Sequence, residues 1–165
     1  MPVTDVSTSP VNFIPAITAK LRTDLSLNTS QVRVVDEKTI RGKFTEVLTE
    51  NGIAVCLSAA APHPNNPGGG RNAYKVRRNL WIRPTTISYL DPAGRNEIAL
   101  LEHWGFQDSI LSSLVGAVVS PLILPLHLSQ SAGGQWDLTE DPGRYTSIIQ
   151  LDVDYALPLT VSCGS

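Results

Sequence analysis

Apolar positions recur along this chain in two different periods, and the switch between them outlines the elements. After Pro10, the residues Phe13, Ile14, Ile17, Leu21 and Leu25 fall at steps of three and four, one stripe of a helix running to about Leu27, with Lys20, Arg22 and Asp24 facing outward. Asn28, Thr29 and Ser30 end it, Val32, Val34 and Val35 read as a short strand, and residues 36–41 read as polar loop. The β-prone runs 43–48 and 53–57 flank Thr49, Glu50, Asn51 and Gly52, and the Asn-Gly pair predicts a hairpin there. Residues 74–89 form a long extended stretch with Leu80 and Ile82 on one face and Trp81 and Arg83 on the other, where Pro84 predicts a bulge, an edge position or a break. A second helix is expected over 95–115, carried by Ile98, Leu101, Trp104, Ile110, Leu111 and Leu114, with Gly105 as a point of division. At the end, Ile149, Leu151, Val153, Tyr155 and Leu157 alternate with Gln150, Asp152, Asp154 and Ala156, the pattern of a strand with one buried face.

Two stretches break this order. Residues 58–73 combine three prolines with Gly68, Gly69 and Gly70, a composition that reads as a flexible loop. Residues 116–143 carry prolines at irregular spacing with Gly133 and Gly134, a Pro-rich insertion holding at most a short strand around 122–128. A length of 165 residues, 42% hydrophobic and 17% charged, fits one domain with a packed core over residues 1–165. The fold class expected is α/β in the α+β sense, with a mostly antiparallel or mixed sheet and helices packed on one face. No uninterrupted apolar run reaches the length of a membrane span, and the start MPVTDVSTSP has neither a basic nor an apolar stretch, so a cytoplasmic site of synthesis is expected.

Charge is polarised along the chain. Residues 1–90 hold eleven Lys and Arg against six Asp and Glu, giving +5, while residues 91–165 hold two against nine, giving −7. Such asymmetry suits a basic surface meeting nucleic acid, or copies meeting basic face to acidic face in a ring. Cys56 and Cys163 give no disulfide framework, and His63, His103 and His127 are scattered without ligand spacing, so neither a metal nor a cofactor is expected.

Common catalytic signatures are absent, and the triple glycine is followed by Arg71 and Asn72 where a phosphate cradle would place Lys and Ser or Thr. His103, Asp108 and Ser109 lie on one predicted helix, whereas a nucleophile needs a base from elsewhere in space, so no catalytic residue is assigned. Asp152 and Asp154 share one strand face, within reach of each other for acid and base work or a divalent cation, although a solvated or interfacial face explains them more simply. Arg77, Arg78 and Arg83, with Lys75 and Trp81, form the densest basic stretch, suited to phosphate or to a carboxylate on a neighbouring subunit. At least one of the three is expected to pair across a subunit boundary, with Asp152 or Asp154 as its partner.

The segments IPAITAKLRTDL, VRVVDE, KVRRNLWIRPTTISYLDPAGRNEIALLEHW and IIQLDVDYAL, in that order, resemble the tail terminator, or tail completion, proteins of tailed bacteriophages. The resemblance is one of layout and excludes 58–73 and 116–143. It implies a virion structural protein assembled in the host cytoplasm as a homo-oligomeric, hexameric ring in the tail or neck. Such a ring caps the tail tube protein and joins it to the head connector or adaptor, with DNA passing through the lumen without sequence specificity. On that reading the protein is not an enzyme, and Arg77, Arg78, Arg83, Asp152 and Asp154 are candidates for the subunit interface or the lumen. Another neck or connector protein of the phage, a small cytoplasmic α/β enzyme and a nucleic-acid-binding module are the alternatives.

Overall fold

A computed structural model of the chain describes residues 9–41, 51–63, 73–87, 96–129, 139–141 and 144–158. They form a single α+β domain with three helices and one mixed sheet. Helix α1 (Pro10–Asp24) starts where the Ser9 Oγ accepts from the Val11 N–H and Pro10 presets the first turn. It stops short of Leu27 because Ser26 takes a positive φ of 54° and the Leu27 N–H folds back onto the Arg22 carbonyl. Strand β1 (Val32–Val34) follows, then a helical turn α2 (Glu37–Arg41) where polar loop is expected, because its start is capped by Asp36, whose Oδ1 accepts from the Thr39 N–H. Strand β2 (Gly52–Leu57) then runs parallel to β1. The 43–48 arm of the expected hairpin lies outside the described residues. Over Ile53–Val55, β2 has both edges occupied, by β1 on one side and by the long strand described next on the other.

Strand β3 (Ala61–Pro62) leads into the spine of the sheet, β4 (Ala73–Ile87). One edge of β4 takes β2 over 80–85 and β3 at 76–77. Residues 58–63, expected in the flexible loop, are therefore held against β4: the Asn79 N–H donates to Ser58 Oγ, the Ser58 N–H to the Asn79 carbonyl and the His63 N–H to the Lys75 carbonyl. Between Ser58 opposite Asn79 and Ala61 opposite Arg77 the outer strand carries one extra residue, a bulge, and that irregularity hides the pairing in a sequence rich in Ala and Pro. Residues 64–72 lie outside the description.

After β4 come α3 (Asn96–Leu114), unbroken through Gly105, then β5 (His127–Leu128), β6 (Thr139–Asp141), β7 (Arg144–Thr146) and β8 (Ile149–Pro158). The other edge of β4 takes β8 from Ala73 to Ile82 and β7 from Thr85 to Ile87. Pro84 falls at this change of partner. Ile53, opposite it, sends its own N–H to Gln31 on the far side, so the N–H that Pro84 lacks would point to the gap between β8 and β7. The strand consequently passes through the proline without a break.

Helices α1 and α3 cover one face of the sheet. Phe13, Ile14, Ile17 and Leu21 of α1 and Ile110 and Leu114 of α3 pack on Val76, Leu80 and Ile82 of β4 and on Ile149, Leu151, Val153 and Tyr155 of β8. Gly116, at φ 77°, closes α3, and its N–H binds the Leu126 carbonyl. The first described part of the Pro-rich stretch is thereby folded back, burying Val119, Leu122 and Leu126 in the same core, and the stretch holds two short strands, β5 at His127–Leu128 and β6 at Thr139–Asp141, where at most one was expected. Helix α2 departs from the expected arrangement of helices on one face, since Ile40 packs with Cys56 and Trp81 on the opposite side. Burial pushes the Cys56 thiol above its ordinary range. No helix among the described residues is long and apolar enough to cross a membrane.

Leu80 is fully enclosed between β4, β8 and the helices, so Leu80→Ala is expected to cost about 2–5 kcal/mol in urea unfolding. Val34→Ala, at a site 59% exposed, is expected to stay within about 0.5 kcal/mol of the parent.

Candidate functional site

The alternation in β8 does not leave its second face in water. Asp152 is 2% and Asp154 8% exposed, so β8 is buried on both sides, its polar residues against a row of polar side chains, one arginine and two histidines. The row follows from register. Arg77 lies directly opposite Asp154 across β4 and β8, His127 opposite Asp152 across β5 and β8, and His63 follows Ala61, the partner of Arg77, by two residues and thus shares its face. Four adjacent strands contribute to it.

Arg77 grips Asp154 with both prongs, Nε to Oδ1 at 2.7 Å and Nη2 to Oδ2 at 2.9 Å, and its Nη1 lies 3.6 Å from Asp152 Oδ2. His63 Nε2 stands 3.3 Å from Asp154 Oδ2, and His127 Nε2 3.5 Å from Asp152 Oδ2. Burial alone would push the Asp154 carboxyl up. The Arg77 hydrogen bonds and charge, with smaller contributions from His63 and His127, outweigh it and hold the group below the usual carboxylate range. The same bonds raise Arg77. Asp152 keeps one buried oxygen, Oδ1, without a hydrogen-bond partner among the described residues.

An Asp154 whose two oxygens both accept from Arg77 is poorly placed as a general base, and the guanidinium occupies the space between the carboxylates that a cation would need. Among the described residues, no three His, Cys, Asp or Glu side chains are arranged to hold a metal ion. What the row does is tie β4 to β8 through the Arg77–Asp154 ion pair and bring His63, just past β3, and His127 of β5 against the same carboxylates.

All three arginines singled out from the sequence bond within the chain, each differently. Arg77 pairs with Asp154 in its own chain, contrary to the expected pairing across a subunit boundary, because β4 and β8 are antiparallel neighbours. Arg78 points to the helix-covered face, donating to Tyr155 Oη at 2.8 Å and to the Ser58 carbonyl at 3.1 Å, while Phe13 packs on the Tyr155 ring. Arg83 is buried, donating to Thr146 Oγ1 and to the Ile40 carbonyl at the end of α2.

A second buried polar group lies where the sequence indicates apolar packing. His103, fully buried on α3, meets Thr86 Oγ1 at 2.9 Å through Nδ1 and Ser147 Oγ at 3.0 Å through Nε2, and Gln107 Nε2 donates to the same Ser147 oxygen. A serine and a base do come together here from different elements, but Ser147 is itself fully buried, so the cluster anchors α3 to β4 and to the turn before β8. Asp108 and Ser109, the other members of the imagined triad, are exposed on the opposite side of the helix. The spacing 103, 107, 110 and 114 is a helical stripe in its own right and was the available signal. His63 and His127 had none, because only strand pairing brings them to Asp152 and Asp154.

The consequence for α3 is an inversion of its first half. His103 and Gln107 point inward, while Ile98, Leu101 and Trp104 are 62%, 55% and 46% exposed, not in the core as the pattern suggests. Exposed Glu102 and Asp108 flank them, and the helix contains no Lys or Arg. Gly105 lies on the same exposed surface, where a Cβ would meet nothing within 4 Å. A mid-helix glycine costs about 1 kcal/mol relative to alanine, and packing among the described residues gives no reason for it here.

Arg77→Ala is expected to lose about 3 kcal/mol or more, because Asp154 would stay buried without its partner, read as a shifted urea midpoint. Because the folded carboxyl sits below its ordinary 3.8, its contribution is complete above that pH and is lost as pH falls through the folded value; Asp154→Asn should lack this part of the acid transition. Burial lowers His103 from 6.5, so the parent loses stability as pH falls below 6.5 while the unfolded chain takes up a proton that the folded chain refuses. The stability gap between the parent and His103→Leu should therefore narrow from pH 7 to pH 5, and a constant gap would show that the buried ring does not titrate this way.

No protein-family model matches the chain and no curated protein matches it, so what this site and this surface do has to follow from their own chemistry.

Proposed function

We propose that this protein is a structural subunit of a homo-oligomeric ring, of the kind that closes a phage tail tube and joins it to the head connector, with DNA passing through the lumen. The observation that carries the reading is the inverted half of α3, an apolar and acidic surface on a chain whose N-terminal half is basic. Exposed Ile, Leu and Trp side chains clustered on one helix mark a surface that gains by being covered. Arg77, Arg83, Asp152 and Asp154 meet partners or burial within the chain, and the exposed Glu102 and Asp108 on α3 favour contact with an unlike surface of the next copy; such contacts close into rings when the rotation permits. The charged residues that would otherwise suggest chemistry, Arg77, Asp152 and Asp154, are engaged in holding strands together. The order helix, strand, long strand, helix and final strand also agrees with the layout of tail terminator proteins.

Purified protein examined by native mass measurement and negative-stain imaging is expected to give one dominant ring size, and rings of six would match the family layout. A sharp monomer mass at high protein concentration, with no ring formed on added tail tubes, would refute the reading.

A further inference from the structure

The two sheet flanks of the molecule differ in character. α3 packs over β4 and β7, α1 lies beside it over β1, and β1 ends the sheet on the far side among the described residues. The α3 flank presents Ile98, Leu101 and Trp104 with Glu102, and the β1 flank presents exposed Val34 with Arg33 and, at α2, Lys38 beside Asp36 and the Glu37–Arg41 ion pair.

We infer that the outward face of α3, centred on Gly105, is the docking surface for the β1–α2 flank of a second copy of this chain. This rests on the ring reading and adds to it which surfaces meet. Three observations favour it. An α3-to-α3 contact about a two-fold axis would set Glu102 and Asp108 against their own copies, and like charges face to face are unfavourable. The β1–α2 flank carries Arg33, Lys38 and Arg41 against Asp36 and Glu37, a net positive charge beside an exposed valine, opposite in sign to the acidic, apolar helix. Gly105 leaves the helix backbone bare beside Leu101 and Trp104, a gap that nothing among the described residues fills and that permits close approach of another backbone. The two flanks lie on opposite sides of one subunit, so each copy can give one surface and receive the other.

Gly105→Leu is the decisive variant, because open space around the missing Cβ means that the monomer can accept the side chain. Its thermal midpoint is expected to match or exceed that of the parent, since leucine favours helix, while self-association measured by sedimentation weakens at least about tenfold. A charge exchange provides the second arm: Glu102→Lys and Lys38→Glu should each weaken assembly, and the double variant should restore it. If the parent forms rings and both Gly105→Leu and the single charge variants assemble like it, the ring stands and this surface is wrong. If the parent itself never associates, the ring reading fails and takes this inference with it.

Discussion

The ten-residue antiparallel ladder between β4 and β8 is the contact on which the rest of the molecule depends. It aligns Val76, Leu80 and Ile82 with Ile149, Leu151, Val153 and Tyr155 on one side of the sheet, and Arg77 with Asp154 on the other. A slip of one residue would send every side chain to the opposite face, placing carboxylates under the helices and leucines among charges. Burial on both faces thus specifies the register twice over. β4 also carries the other partners, β2 and β3 on one edge and β7 past Pro84, so loss of this ladder would leave the sheet without its centre.

Polar groups are distributed around this ladder in an unusual way. Beneath α3 the sheet buries His103, Gln107, Thr86 and Ser147, mutually hydrogen-bonded. On the far face it buries two aspartates and places an arginine and two histidines against them. Buried polar clusters of this kind fix one arrangement of elements, because any alternative strands a donor or acceptor away from water. The apolar side chains displaced from under the first half of α3 lie outside it. Interior and surface are linked here: the hydrogen-bonded histidine that anchors the helix also turns Ile98, Leu101 and Trp104 outward.

Periodicity alone determined where α1, α3 and β8 run and that one α+β core joins them, because a stripe at 3.6 residues or an alternation at two is a local property of the chain. It also showed that Asp152 and Asp154 share a face and that Arg77 lies on a strand. Tertiary structure decided which strand lies beside which, and with that the whole of the charged row: Arg77 finds Asp154 at a sequence distance that no local pattern reports, and His63 and His127 arrive from segments with little strand signal. It also decided which side of α3 is buried. An apolar stripe predicts the inward face only when no polar network competes for it, and Thr86 and Ser147, brought beneath the helix by β4 and the turn before β8, reward a histidine more than they would a leucine.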